Sequence, residues 1–343
     1  MTTNVAILGA SGYTGAELVR LLLNHEGVRI KALSAEQQAG QSMAAVYPQF
    51  APYTLPPLVK LEALDSAQID FLFCALPHGT TQSIIAQLPE HVRVVDLSAD
   101  FRFFDCDTYA SVYGLAHKAP DLQKKAVYGL TEHAGEAIAK ARLVANPGCY
   151  PTAVQLALIP LLQEGLIEAQ SLVIDAKSGA TGAGRGAKRE LLFCEINDGF
   201  HAYAPGSHRH APEIDQGLEI FAGVRTKVSF TPHLLPMNRG ILATLYFESR
   251  AHLKTLRLCL EKAYSHKPFV HLLPEGILPR TQSVRGTNHC FLNIFPDRVS
   301  GRFILVCVID NLGKGAAGQA VQNMNLMLGF EETKALEHAA LTP

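Results

Sequence analysis

Val5-Ala6-Ile7-Leu8-Gly9-Ala10-Ser11-Gly12-Tyr13-Thr14-Gly15 decides the fold. Four apolar residues read as a short buried strand, and the glycine-rich turn follows at once. Ala16 to Leu23 then reads as a helix and Val28 to Leu33 as a second strand. This is the order of a dinucleotide-binding β-α-β unit. Gly9 permits the tight turn, Gly12 lets the backbone approach a pyrophosphate, and Gly15 lets the helix pack close to the sheet. The helix N-terminus would face the phosphates with unpaired N–H groups. Cofactor contacts are therefore expected from Gly9, Ala10, Ser11, Gly12, Tyr13, Thr14 and Gly15. A plain structural turn would not need three glycines placed this way.

The cofactor type is read at the end of the second strand, where an Asp or Glu would hold a ribose 2′-hydroxyl. Here the chain reads Leu33-Ser34-Ala35-Glu36. A hydroxyl at Ser34 suits a 2′-phosphate better than a carboxylate does, so NADP is expected, although no Arg stands beside it. Further along, Ile69 to Leu76 and Val92 to Leu97 are continuous apolar runs, as buried parallel strands require. Pro77-His78-Gly79 ends the first, at the strand end where such folds bind ligands. Pro77 is expected on the cofactor and His78 as a loop residue. The second run leads into Ser98-Ala99-Asp100-Phe101-Arg102, where the Arg102 fork matches a carboxylate or phosphate. The polar stretch Asp105 to Tyr109 shows no period and reads as a loop over the cleft.

The chemistry concentrates in Ala145-Asn146-Pro147-Gly148-Cys149-Tyr150-Pro151-Thr152. A strand ends before it, and Ala153 to Leu162 follows with helical spacing. Cys149 thus stands at a helix N-terminus, where dipole and N–H groups favour the thiolate and offer donors to an oxyanion. A cysteine used only as a small buried residue would not need the fixed turn built by Gly148 and two prolines.

Past Cys149 the pattern changes. Leu172 to Ala176 is a strand, followed by a second glycine-rich turn, Ser178 to Gly186. It lacks a β-α-β context, so it reads as backbone near nicotinamide or substrate, with Arg185 in solvent or on an anion. Ser207-His208-Arg209-His210 precedes a helix expected over Glu213 to Ile220. Two histidines beside a poised thiol suggest acid–base work, and Glu213, one helical turn from His210, could orient its ring. A metal is the rival, but no third ligand stands at matching spacing. Val228–Thr231, Gly240–Phe247, Val270–Leu273, Cys290–Phe295 and Arg302–Ile309 read as strands with few crossover helices, an α+β pattern. A small-residue helix, Ala320 to Leu328, closes the chain and is expected back against the first domain.

Composition bounds the rest. The chain has 343 residues, 48% hydrophobic and 18% charged, with net charge -1. That is globular and large enough for two domains. Without a basic run or a ~20-residue apolar segment, neither nucleic acid nor membrane is expected as a partner. Seven scattered cysteines without C-x-x-C spacing, and no signal-peptide pattern, point to a reduced, cytoplasmic setting.

Together, the Gly9–Gly15 turn, Pro77-His78-Gly79, Asp96 to Arg102, Asn146 to Thr152, His208-Arg209-His210 with Glu213, and Asp310-Asn311 onward resemble the N-acetyl-γ-glutamyl-phosphate reductase family. That family acts in arginine biosynthesis and is related to aspartate-semialdehyde dehydrogenase. The resemblance covers nearly the whole chain; the segment Ser34-Ala35-Glu36 departs from it, since many members carry a basic residue there. It implies an α/β fold: a Rossmann-type parallel-sheet NADP domain over 1–148, completed by a C-terminal helical segment 312–343. A catalytic and dimerisation domain, α+β with a mostly antiparallel sheet, would span 149–311. It implies an acyl-phosphate substrate, a Cys149 thioester reduced by NADPH, and His208 or His210 as the acid. Gly182 and Asn311 would join the cofactor contacts, and Arg102, Asn146, Arg185 and Glu213 the substrate contacts. A homo-oligomer, dimer or tetramer, is expected, with no metal. Sister reductases of aspartyl or carrier-linked aminoadipyl or glutamyl phosphates share these motifs. A non-catalytic NADP-binding redox sensor would not need a thiol near His-Arg-His, and a thiol hydrolase would leave the dinucleotide turn unexplained.

Overall fold

A computed structural model describes residues 2–341; Met1 and the last two residues of the expected 312–343 segment lie outside the described residues. The chain divides into two compact units. Among the described residues, one comprises 2–147 with Ala316–Glu337, the other Gly148–Gly315 with 338–341.

The first unit is built on seven strands: β1 (Thr3–Leu8), β2 (Val28–Ser34), β3 (Leu58–Val59), β4 (Phe71–Cys74), β5 (Arg93–Asp96), β6 (Val127–Tyr128) and β7 (Leu143–Ala145). All pair in parallel, in the order β3-β2-β1-β4-β5-β7-β6. The order reverses between β1 and β4, which opens the ligand-binding crevice of a doubly wound sheet at their carboxyl ends. Strands β1, β4 and β5 are almost wholly buried, which explains their unbroken apolar runs. The helix Gly318–Leu328 packs on the helix Thr131–Lys140. Asn323 joins them: its Nδ2 donates to Gly129 O at 2.9 Å and its Oδ1 accepts from Thr131 Oγ1 at 2.7 Å.

The segment after Asp105 is a helix, Cys106–Tyr113, rather than the loop its composition suggests. Asp105 caps it, accepting from the backbone N–H of Asp107 and Thr108 at 3.2 and 2.8 Å. Tyr109 and Tyr113, four residues apart, stack at 5.1 Å. A side-chain cap and one aromatic pair define an element too short to show periodicity.

The second unit holds β8 (Val173–Gly179), β9 (His201–Ala202), β10 (Ser229–Leu235), β11 (Ile241–Glu248), β12 (Val270–Leu272), β13 (Cys290–Pro296) and β14 (Arg302–Ile309), in the order β12-β13-β14-β11-β8-β10-β9. Four of the six pairings are antiparallel; β8 with β10 and β12 with β13 are parallel. Against this sheet lies the helix Cys149–Gln163, buried from Tyr150 to Leu162, as a helix apolar on every side must be. Pro160 inside it has no N–H for the Leu156 carbonyl, and Tyr264 Oη donates to that carbonyl at 2.5 Å instead. The helix His210–Ala222 packs beside it. A Cβ on Gly217 would come within 2.0 Å of Gln155 Nε2, so glycine sets the approach. Among the described residues, no helix is long and apolar enough to cross a membrane.

Candidate active site

In the first unit the glycine turn follows β1, and the helix begins at Tyr13, three residues ahead of the sequence reading. Gly9 has φ +76 and faces the Ala75 carbonyl; a Cβ there would lie 2.3 Å from that oxygen. A Cβ on Gly15 would lie 2.3 Å from Gly9 O and 2.6 Å from Ala10 Cα, whereas Gly12 has only Gly9 O, at 3.4 Å, for a neighbour. Gly9 and Gly15 therefore shape the turn, and Gly12 leaves room on its outer side. Ala10 N donates to Ser34 O at 2.8 Å and ties the turn to β2. This cradle at a helix N-terminus fits a dinucleotide pyrophosphate.

Around it, Ser11 Oγ donates to Gln38 Oε1 at 2.9 Å, and Tyr47 Oη to Ser11 O at 3.0 Å. Ser34 is buried, its Oγ 3.4 Å from Gly9 N. Tyr13 and Thr14 are half-buried in the first helical turn, and Pro77 is exposed after β4. No Arg stands beside Ser34 in the sequence, but Lys60, just after β3, places its Nζ 3.7 Å from Glu36 Oε1 at the end of β2, both well exposed.

Asp100 holds the Pro77-His78-Gly79 turn: its carboxylate accepts from Gly79 N, Thr81 N and Tyr109 Oη at 2.5, 2.9 and 2.8 Å. Arg102 is buried, with Nε donating to Asn146 O and Nη2 to Leu97 O, at 2.8 and 2.9 Å. Asn146 is buried too; its Nδ2 donates to Ala316 O at 3.2 Å and its Oδ1 accepts from Asn323 Nδ2 at 3.1 Å. Both side chains are engaged with the framework of this unit.

In the second unit Cys149 is the first residue of its helix, four positions ahead of the start read from sequence, with Gly148 as the cap. Pro151 fits the first turn because its missing N–H has no intrahelical acceptor there. Thr152 N and Oγ1 both donate to Gly148 O at 2.9 Å. Glu213, fully buried, accepts from Gly148 N at 2.7 Å, and its own carbonyl accepts from Gln155 Nε2 at 2.9 Å. Glu213 thus positions the cysteine turn itself. Cys149 also lies against the turn after β14, where a Cβ on Gly315 would come within 2.8 Å of Cys149 Cβ.

Both histidines stand near the helix start. The His208 ring packs on Tyr150, Tyr203, Phe230 and His210, with centroids 4.9–5.7 Å apart. Its Nδ1 accepts from His210 N at 3.1 Å, so the ring proton sits on Nε2. Burial, reinforced by the Arg209 charge, pushes the His208 pKa down to about 4, and the ring is a neutral Nε2–H donor near pH 7. His210 opens the helix His210–Ala222 and packs on Tyr150 at 5.9 Å.

Asn311 is buried, accepting from Gly240 N at 2.7 Å and donating to Thr181 Oγ1 at 2.9 Å. Gly182 lies in that turn, and a Cβ there would be 3.2 Å from Ser178 Oγ. Arg185 is exposed. Sequence reasoning missed Arg239 and Arg285. Arg239 forms a two-pronged ion pair with the fully buried Asp310, Nε to Oδ2 at 2.9 Å and Nη2 to Oδ1 at 3.1 Å. Their signal in the chain was an Arg-Gly pair at each place, Arg239-Gly240 and Arg285-Gly286.

Known proteins resemble this chain along nearly its whole length. Residues 4–141 match the semialdehyde dehydrogenase NAD-binding domain family, and residues 149–311 the semialdehyde dehydrogenase dimerisation domain family. The N-acetyl-gamma-glutamyl-phosphate reductase of Rhodospirillum rubrum is 56% identical, over 99% of both chains. That of Afipia carboxidovorans is 55% identical over 98% of both. The probable chloroplastic enzyme of Arabidopsis thaliana is 52% identical, over 99% of this chain and 85% of its own. Among solved structures, aspartate semialdehyde dehydrogenase II from Vibrio cholerae shares the fold with a TM-score of 0.74 at 19% identity, covering 96% of this chain and 99% of that one. The Candida albicans aspartate semialdehyde dehydrogenase with NADP does so at 0.71 and 16%, with the same coverage. The chain belongs to the N-acetyl-gamma-glutamyl-phosphate reductase family.

Proposed function

We propose that the protein reduces N-acetyl-γ-glutamyl phosphate to N-acetylglutamate 5-semialdehyde and phosphate, with NADPH, in arginine biosynthesis. The observation that carries the mechanism is Cys149 at the first position of a buried helix, its cap fixed by Glu213. There the N–H groups of Cys149 and Tyr150 have no acceptor within the helix. The Cys149 thiolate attacks the acyl carbon, the carbon–oxygen bond to phosphate breaks, and a thioester remains. The Gly9–Gly15 turn would hold NADPH, which would supply the hydride. The Nε2–H of His208 hydrogen-bonds to the oxyanion that hydride addition to the thioester creates; as that oxyanion re-forms the carbonyl, the carbon–sulfur bond breaks, releasing aldehyde and returning the Cys149 thiolate. A neutral imidazole suits this donor role. His210 supports it by fixing the His208 tautomer through its backbone. Covalent capture divides one difficult reduction into two easier steps.

We further read the protein as a homo-oligomer, dimer or tetramer, acting in the cytoplasm on a small-molecule substrate. Leu192, Phe193 and Phe200, exposed at 54, 74 and 67%, are apolar groups of the second unit suited to burial against another copy. A reduced compartment suits a thiol nucleophile.

The test is the reverse reaction. NADPH is followed from N-acetylglutamate semialdehyde and NADP, with and without phosphate, for the native protein and Cys149→Ser. Phosphate-dependent reduction of NADP that the substitution abolishes is expected. Turnover of aspartate semialdehyde in its place would move the assignment to a sister enzyme. NADP binding with no turnover of any aldehyde would sink the mechanism.

A further inference from the structure

A cavity of about 440 Å³ in the second unit is lined by Met237, Asn238, Arg239, Thr281, Gln282 and Arg285. Asp310 ties two of the lining segments together. Its carboxylate holds the Arg239 fork, 21% exposed, and also accepts from Gly286 N at 2.6 Å, which anchors the residue next to Arg285. Gly240, at φ +119, packs close to the lining residue Thr281, whose Cβ a Cβ there would approach to 2.9 Å. The Nε of Arg285 is buried and has no hydrogen-bond partner. A buried guanidinium donor without an acceptor costs free energy unless a ligand supplies one.

Asp310, which holds Arg239, is also tied to the turn against the nucleophile. Asp310 O accepts from Gly315 N at 2.9 Å, and Gly315 packs directly against Cys149. Two guanidinium groups and one carboxylate, +2 and −1, leave one net positive charge around the cavity. That balance matches a monoanion better than a phosphate dianion.

We propose that Arg239 and Arg285 form the clamp for the carboxylate of the acyl-phosphate substrate, at the end away from the reacting carbon. The assignment rests on the reaction proposed above. Arg239 is held in one orientation by Asp310, and Arg285 lines the same cavity as the second cation. Asp310 takes one edge of the Arg239 guanidinium, and the charge that remains with Arg285 suits a carboxylate.

The test uses the reverse reaction with N-acetylglutamate semialdehyde and with 4-acetamidobutanal, which lacks only the carboxylate. Arg285→Gln is the main variant, because Arg239 substitutions would strand the buried Asp310. Its aldehyde KM should rise about 10- to 100-fold, the loss of one charge-assisted hydrogen bond, with the KM for phosphate unchanged. Arg285→Lys, which keeps the charge without the fork, should fall between. With 4-acetamidobutanal, wild type and variant should differ by less than about 3-fold, since the partner group is gone. An unchanged aldehyde KM in Arg285→Gln would overturn the clamp. So would a rise confined to phosphate, or an equal penalty with both aldehydes. Native protein inactive on N-acetylglutamate semialdehyde would instead overturn the reaction.

Discussion

Glu213 and Gly148 are joined by a 2.7 Å hydrogen bond in which the buried carboxylate accepts the N–H of the residue that caps the Cys149 helix. One side chain from the helix His210–Ala222 thereby fixes the nucleophile's turn. Glu213→Ala strands that N–H and should cost about 1–3 kcal/mol in urea unfolding. Glu213→Gln keeps an accepting oxygen and should cost clearly less. The Ala variant should also lose at least about tenfold in kcat/KM, with Gln retaining most of it. An Ala variant as stable and active as wild type would contradict this role.

Gly15→Ala would push a Cβ against the Gly9 carbonyl and Ala10 Cα, both backbone. The turn must open, so the protein should lose about 1–3 kcal/mol, as overpacked sites do. NADPH affinity, read by cofactor fluorescence, should fall at least about tenfold. Gly40→Ala is the control, since nothing lies within 4 Å of a Cβ there; its φ of +88 should cost some stability, and cofactor affinity should hold.

His208 should titrate near pH 4 rather than 6.5, because burial disfavours its charged form. The folded state then binds this proton less tightly than the unfolded chain. Stability is full above about pH 6.5 and falls as pH drops toward about 4. NMR of the histidine Cε1 protons checks the midpoint. A His208 midpoint near 6.5 would contradict the neutral-donor role.

Asp96 shows the opposite sign. Burial, with the Asp100 charge, pushes its pKa from 3.8 up to about 7, against hydrogen bonds from Ser98. The folded state binds this proton more tightly, so stability falls as pH rises from about 4 to about 7 and then levels. Asp96→Asn, measured by urea unfolding across that range, should flatten this contribution by a few kcal/mol. A variant with the wild-type pH slope would contradict it.

Much of this was legible in the chain. Gly9 and Gly15 are glycines because backbone atoms stand where a Cβ would go, and that requirement leaves a fixed spacing. The unbroken apolar runs of β1 and β4 follow from burial on both faces. The Cys149 turn announces itself through its prolines, though the helix starts at the cysteine because Gly148 and Glu213 complete its cap. The helix Cys106–Tyr113 was hidden because a cap and one aromatic pair carry no period. Arg239 and Arg285 were hidden for a different reason. They are distant in sequence, and only the buried carboxylate of Asp310 brings their segments together. Lys60 likewise meets Glu36 only through the pairing of β2 with β3.

A thioester on Cys149 separates covalent reduction from every rival, and it can be trapped. N-acetylglutamate semialdehyde and NADP are mixed with the protein without phosphate, quenched in acid, and the digest is read by mass spectrometry. One NADPH per active site should form in a burst, with the N-acetylglutamyl group on the peptide carrying Cys149. A burst with no adduct on that peptide, or an adduct that persists in Cys149→Ser, would contradict the mechanism.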